Sequence, residues 1–290
     1  LLLIKMMNNP EPIVSIIMPC YNAERFLKKA IESMLNQTFT DFEFIIIDDC
    51  STDRSAAIIH EYIKDDPRIR YIKNDKNRGV ASSLNIGINN SNGKFIARMD
   101  ADDISAPERL KKQIEHMKNN PDCVACGSDI IIINEHGSII GRRKYLYSDK
   151  TIKKNIHRAS CFAHPTVIIR AETLRNNGLL YSISLPWVED FDLWFKLSEH
   201  GEFSNLEESL LYYRLSSSSV KNSHCKESLR NTIRLKVMNM SHATILSCFV
   251  LCAEIILYLL PAWIILFLYE MRYSSLINSQ VDIINQGDTL

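Results

Sequence analysis

Lys94-Phe95-Ile96-Ala97-Arg98-Met99-Asp100-Ala101-Asp102-Asp103 is an apolar run that ends in three carboxylates, and its reading decides the fold. Acidic side chains two positions apart just past a strand repel one another unless positive charge sits between them. A divalent metal is the charge expected there. Upstream, the runs Ile13–Met18, Phe44–Ile47 and Ile69–Ile72 share the texture of Phe95–Met99: short, apolar and too continuous for half-exposed strands. All four read as buried parallel strands. Between them Phe26, Leu27, Ala30, Ile31, Met34 and Leu35 form one apolar helical face, and Ile58, Ile59, Tyr62 and Ile63 another. Strands alternating with helices of this length predict an open α/β sheet.

Downstream, Ser105-Ala-Pro-Glu108 has the spacing of a capping box and predicts a helix through Leu110, Ile114 and Met117. From about 123 the texture changes to a hairpin or mixed-sheet region turning at Glu135-His-Gly137, followed by a basic segment at 142–158. A strand is expected at Thr166–Arg170, a helix near Asp190, a last strand at Leu210–Leu215, and a loop at Ser216–Ser219. From Thr244 to Leu268 the chain is apolar apart from Glu254 and Pro261. As one helix this stretch would be about 38 Å long, enough to cross a hydrocarbon core of about 30 Å. Glu254 costs about 2.5 to 3.5 kcal/mol on an insertion scale, which the surrounding Leu, Ile, Phe and Val residues outweigh. The expectation is a membrane-spanning or membrane-associated helix, with a buried packing helix as the alternative.

The chain has 290 residues, 46% of them apolar, room for one large domain plus an appendage. Thirty-four basic residues balance thirty-four acidic ones, which disfavours a nucleic-acid binder held by phosphate contacts. Eight scattered cysteines fit a reducing compartment, and Cys123-x-x-Cys126 reads as buried thiols on a strand rather than a zinc or redox site. Leu1–Ile4 is too short for the apolar region of a signal peptide, so no export is expected. The divisions expected are an extension at 1–12, the main domain at 13–225, a linking helix at 226–243, the apolar helix at 244–269 and a tail at 270–290.

In an open α/β sheet, ligands bind beyond the carboxyl ends of the strands. Three polar clusters fall there: Pro19-Cys-Tyr-Asn22, Asp48-Asp-Cys-Ser-Thr-Asp53 and Asp100–Asp103. No glycine-rich phosphate loop is present, so carboxylates holding a metal remain the way to bind a diphosphate, and hard oxygen ligands select Mg²⁺ or Mn²⁺.

From about Ile13 to Val220 the chain resembles the family 2 glycosyltransferases. The stretches that carry the resemblance are Val14-Ser-Ile-Ile-Met-Pro-Cys-Tyr-Asn22, Ile46-Ile-Asp-Asp-Cys-Ser-Thr-Asp53, Asn77-Arg-Gly79, Met99-Asp-Ala-Asp-Asp103, His164-Pro165 and Glu189-Asp-Phe-Asp-Leu-Trp194, all in the family's order. The resemblance implies a GT-A (Rossmann-like) fold, an open mixed sheet flanked by helices, here with a C-terminal apolar helix. It also implies roles: the backbone around Pro19, Tyr21 and Asn22 flanks a nucleotide base, Asp49 accepts a hydrogen bond from that base, and Arg78 lies near the nucleotide. Asp100 faces ribose or metal, Asp102 is the direct metal ligand, and Asp190 is the catalytic base, with Glu189 beside it. His164 either faces the diphosphate or acceptor or fills space.

Some residues keep simpler readings. Asp53 serves equally as a helix cap, Asp192 reads as structural, His60 as solvated, and Trp194 as core, while Trp187 could stack on a sugar. Where many members carry a histidine two residues after the Tyr213-Arg214 pair, this chain has Ser216, with His224 as a distant substitute. The basic segment at 142–158 reads as a solvated face, or as a surface for anionic headgroups or a lipid-diphosphate acceptor.

The implied activity is inverting, metal-dependent transfer from a nucleoside-diphosphate sugar, with UDP-sugar favoured, to a glycan or lipid-linked acceptor in cell-surface polysaccharide synthesis. Arg230, Arg234 and Lys236 precede the apolar stretch and Arg272 follows it, which predicts the cytoplasmic face of the inner membrane. Glu254 at mid-span would favour self-association into a homo-oligomer. The rivals are a nucleotidyltransferase and a non-catalytic nucleotide-sugar-binding membrane scaffold.

Overall fold

A computed structural model of the chain describes residues 11–158, 160–215, 224–240, 244–265 and 267–268. Residues 1–10 of the expected extension (1–12), the expected loop Ser216–Ser219 and the tail at 270–290 lie outside the described residues. The four predicted parallel strands form as β1 (Val14–Cys20), β2 (Phe42–Asp48), β3 (Ile69–Lys73) and β4 (Phe95–Arg98). Every residue of β1, β2 and β4 is buried, as their unbroken apolar runs require. Helices α1 (Leu27–Leu35), α2 (Ser55–Asp65) and α3 (Val80–Asn89) connect them. Gly87 lets α3 lie close on the sheet, since a Cβ there would stand 2.4 Å from Ile17 Cγ2.

The order β3-β2-β1-β4 reverses direction between β1 and β4, so their carboxyl ends flank a topological switch point. Beyond β4 the sheet turns mixed. A two-residue strand β5 (Ile104–Ser105) precedes α4 (Arg109–Asn119), and the hairpin β6 (Cys123–Ile133) and β7 (Ile139–Arg143) turns at Gly137 with φ 87°. Then come α5 (Asp149–Asn155), a 3₁₀ turn at His164–Thr166, β8 (Ile168–Arg170), α6 (Ala171–Asn176), α7 (Glu189–Leu197) and β9 (Glu202–Arg214). β8 is antiparallel to β4 and β6, and β9 runs parallel to β6 and antiparallel to β5. One core layer includes α1 and α4; the other lies under α3, α6 and α7 and includes Trp194, which is wholly buried. Cys123 and Cys126 are buried on β6, as expected of structural thiols.

Two expectations are corrected. The capping box at Ser105–Glu108 does not form: Ser105 is in β5, its Oγ accepts from Gln37 Nε2 at 3.1 Å, and the helix begins at Arg109. Pairing of β5 with β9 claims the serine that the local spacing offered to the helix.

The second correction concerns the C-terminal apolar helix. It exists as α9 (Ile245–Leu259), after α8 (Cys225–Met238), but has 15 residues and stops at Leu260, whose φ and ψ are −75° and 156°. Pro261 explains the stop, because its ring forces the preceding residue out of the helical region and it has no N–H to give. Fifteen residues span about 22 Å, short of a hydrocarbon core of about 30 Å. Among the described residues no helix is long and apolar enough to cross a membrane. Glu254 finds its partner inside the chain, accepting from Lys236 Nζ of α8 at 2.5 Å.

Candidate active site

The loops after β1 and β2 are tied to each other. Asn22, at φ 48°, accepts the Thr52 N–H on Oδ1 at 2.8 Å and donates its own N–H to Ser51 Oγ at 3.0 Å. Asp53 accepts from the N–H groups of Ser55 and Glu24 at 2.9 and 3.0 Å, which holds its carboxyl below the usual carboxylate range despite the opposing effect of burial. Asp53 thus ties the first N–H of α2 to the loop after β1, while the residue at the N-cap itself is Arg54. Asn22 therefore acts on the site by shaping the loop that carries Pro19 and Tyr21; Pro19 is buried on β1, and Tyr21 is 50% exposed beside it.

Asp49 is buried and heavily engaged. Oδ1 accepts from Arg78 N at 2.9 Å and Asn74 Nδ2 at 2.7 Å, and Oδ2 accepts from Gly79 N at 2.8 Å. A carboxylate offers about four acceptor positions, so about one remains for a ligand. Gly79 presents its N–H only because its backbone adopts φ 83° and ψ 166°, a region essentially reserved to glycine. Arg78 turns its guanidinium to Asp75, with Nη2 at 2.7 Å from Oδ1.

The acidic loop after β4 stands over buried arginines. Asp100, Asp102 and Asp103 bring one carboxylate oxygen each within 4.8 Å of the others. Arg98 binds Asp100 through Nη1 at 2.5 Å, while Arg214 donates its backbone N–H to Asp103 Oδ1 at 2.7 Å and its Nε to the Asp102 carbonyl at 2.7 Å. Burial, then the Asp100 charge, push the Asp102 carboxyl up to about 6 and Asp103 well above its ordinary value. Asp103 Oδ2 is buried with no hydrogen-bond partner. Three hard oxygen donors, one of them orphaned and two of them short of compensating charge, suit Mg²⁺ or Mn²⁺. Asp103 stands with Asp102 in this cluster, and its signal in the sequence is the fourth position of Asp100-Ala-Asp-Asp103.

Glu189 and Asp190 open α7. Desolvation, then the Asp190 charge, raise the Glu189 carboxyl to about 7. Asp190 Oδ1 accepts the Phe191 N–H at 2.8 Å in the first turn, where the helix field favours negative charge. His164 Nε2 lies 2.9 Å from the hydroxyl of Tyr181, a fully buried side chain whose ionisation is opposed first by burial. Arg98, Asp190, Glu189 and Asp100 all act electrostatically on that hydroxyl. The acidic loop and the start of α7 thus lie close enough for their charges to act on the same buried Arg98 and Tyr181, and sequence reasoning missed both. A lone arginine inside the apolar run before the acids was the available signal for Arg98.

Trp187 is 38% exposed at φ 72°, stacked on His224 with ring centroids 4.5 Å apart. Asp192 pairs with Lys196 at 2.5 Å, in keeping with a structural role, and His60 is exposed with one edge against Tyr71, in keeping with a solvated side chain.

The model for the family described as glycosyl transferase family 2 matches residues 15–175, more than half of the chain. The chain belongs to that family. An uncharacterized glycosyltransferase of Methanocaldococcus jannaschii is 39% identical over 209 residues, 71% of each chain. The Escherichia coli UDP-Glc:alpha-D-GlcNAc-diphosphoundecaprenol beta-1,3-glucosyltransferase WfgD is 32% identical over 74% of this chain and 82% of its own. Among solved structures, the mannosyltransferase PcManGT of Pyrobaculum calidifontis, in complex with GDP-Man and Mn²⁺, superimposes with a TM-score of 0.64 at 13% identity, covering 97% of this chain and 89% of that one. The fold of this family 2 glycosyltransferase is thereby GT-A-like, and the protein is an enzyme of glycosyl transfer.

Proposed function

We propose that this glycosyltransferase moves a sugar from a UDP-sugar to a glycan or lipid-linked acceptor, with inversion, in the synthesis of a cell-surface polysaccharide. The observation that carries the reading is the cluster of Asp100, Asp102 and Asp103 carboxylate oxygens within 4.8 Å of one another, near enough to Glu189 and Asp190 for both groups to act on the same buried Arg98 and Tyr181. The named activity of WfgD on UDP-Glc supports the choice of donor and the lipid-linked acceptor class. The Mn²⁺ and GDP-Man of the mannosyltransferase complex support a metal and a diphosphate donor.

Asp102 and Asp103 hold Mn²⁺ or Mg²⁺ in this reading, with Asp100 kept beside them by Arg98. A divalent ion there supplies positive charge against the departing diphosphate. Tyr21 and the loop fixed by Asn22 flank the base, and the remaining acceptor position of Asp49 receives a base N–H. Asp190 lies on α7, a different element from the acidic loop, as in-line displacement requires. Its carboxylate takes the proton of the acceptor hydroxyl while that oxygen bonds to the anomeric carbon. The bond from that carbon to the diphosphate oxygen breaks on the opposite side, and its electron pair leaves with UDP. Burial and the Asp190 charge raise the Glu189 carboxyl to about 7, so below that pH it keeps its proton and cannot accept one from the acceptor.

Incubation of the protein with UDP-sugars, Mn²⁺ and a synthetic lipid-diphosphate sugar tests this. Release of UDP with formation of a longer glycan is the expected result. Pyrophosphate in its place would make the protein a nucleotidyltransferase, and donor binding without release a non-catalytic scaffold.

A further inference from the structure

α9 is built inside out. Ser247, Leu251, Glu254 and Tyr258 recur at i, i+4, i+7 and i+11, which is one helical face. That face meets the protein: Ser247 and Leu251 are buried, Glu254 receives Lys236, and Tyr258 packs on the cluster of Cys225, Leu229 and Ile265. The opposite face is apolar and open. Ile245, Phe249, Ile256 and Leu259 are 81%, 68%, 63% and 75% exposed, and Trp263 and Phe267 extend the row past Pro261. A single exposed leucine needs no explanation, but a continuous apolar row with the helix's one charged residue turned inward does.

The surroundings say what covers it. On α8, Lys226, Arg230 and Arg234 stand at i, i+4 and i+8 on one exposed face, with Glu227 alone of opposite sign. Lys226 Nζ lies 6.0 Å from the Tyr258 ring, so this basic row borders α9. Cations beside an apolar helix, with an exposed tryptophan just past its end, match an anionic bilayer surface. A second copy of the chain, packed face to face, would bring two basic rows together. Fifteen residues ending at a proline break suit a helix lying along a bilayer rather than through it.

We propose that the α8–α9 pair lies in the plane of an anionic bilayer, with the outer face of α9 in the boundary between headgroups and acyl chains and the basic row of α8 against the lipid phosphates. The inference is independent of the transferase chemistry. Flotation of the full chain with vesicles of phosphatidylglycerol and phosphatidylethanolamine tests it. The protein should float with these vesicles and bind phosphatidylcholine vesicles at least tenfold more weakly. The double change Phe249→Asp/Ile256→Asp, at exposed positions that spare the core, should reduce flotation at least tenfold with an unchanged thermal midpoint. Arg230→Glu/Arg234→Glu should remove the preference for anionic lipid. Trp263 fluorescence should be quenched more by bromines near the headgroup end of the lipid than by bromines near the bilayer centre.

Failure of the full chain to float, or flotation unaffected by Phe249→Asp/Ile256→Asp, overturns the proposal. So does a dimer, seen by light scattering, that the same double change dissolves without any vesicle binding. Strongest quenching at the bilayer centre would replace the in-plane arrangement by insertion. UDP-sugar binding by calorimetry on the same variants reads the active site separately.

Discussion

Arg98 and Asp100, two residues apart where β4 ends, hold one another through the guanidinium Nη atoms, with Arg98 only 8% exposed. The buried cation therefore compensates Asp100 first. Asp102 and Asp103 are left with raised carboxyls and insufficient positive charge, a deficit that a divalent ion would make good.

Asp102→Asn should consequently lower Mn²⁺ affinity at least about tenfold, since a neutral amide oxygen replaces a carboxylate. Calorimetric titration with Mn²⁺ at neutral pH checks this, and circular dichroism checks the fold. Unchanged affinity would remove Asp102 from the ligand set.

The same raised carboxyls give the metal-free protein a distinctive pH dependence. Folded Asp102 keeps its proton up to about 6 and Glu189 up to about 7, whereas unfolded chains release theirs near the ordinary values of 3.8 and 4.5. Between those limits the folded state binds more protons than the unfolded one, so stability falls as pH rises from about 4 to about 7. Asp53 and Asp66, whose carboxyls are lowered, act below this window. Denaturant midpoints with chelator present should decline across it. Mn²⁺ affinity should move the opposite way, rising with pH until Asp102 is ionised.

Asp190→Asn is expected to lower turnover at least about a hundredfold with UDP-sugar affinity near normal, the scale of lost general-base assistance. Glu189→Gln, which preserves the protonated shape, should cost far less at pH 6. Steady-state kinetics alongside donor calorimetry separates the two, and equal losses would refute the division of roles.

Gly79→Ala should destabilise the protein by about 1 to 3 kcal/mol although no atom obstructs the new methyl, because the cost is backbone strain at φ 83°. Urea unfolding measures it. Donor binding should weaken too if the backbone relaxes from φ 83° and draws the residue-79 N–H away from Asp49.

Lys236→Ala strands Glu254 in a partly buried site and should cost about 3 kcal/mol of local stability, while Lys236→Met with Glu254→Leu should recover most of it. Hydrogen exchange of the α8 amides reads both. Comparable loss in the double variant would show the pair to be more than mutual compensation.

The parallel half of the sheet was legible because Ile16, Ile45 and Phe95 lie in runs whose burial is set locally by periodicity and composition. The loops that hold Asp49 and Asp102 followed from where those runs end, whereas Asp190 was reached only through the family resemblance. What escaped the sequence depends on distant partners. Ser105 goes to β5 because β9, more than a hundred residues later, pairs with it. Asp103 is set by Arg214, 111 positions away and invisible at any local spacing. The helix at 245–259 was legible as apolar, but hydropathy alone outweighed Pro261 and hid the Lys236–Glu254 pair.

The bond from Arg214 N to Asp103 Oδ1 joins residues 111 positions apart. β1 to β4 are linked by short βα units, so they close at little entropic cost, whereas β9 must find β6 and β5 across long loops. Assembly is therefore expected to run from the nucleotide side toward the last strand, with β1 and β2 amides protected before those of β9 in pulse-labelled refolding. The Asp100–Asp103 cluster, the proposed ion site, lies on the seam between the early and late halves. A chain still emerging from the ribosome would hold a formed base-binding loop and an unfinished acidic loop, and would be unable to turn over donor until Arg214 had docked.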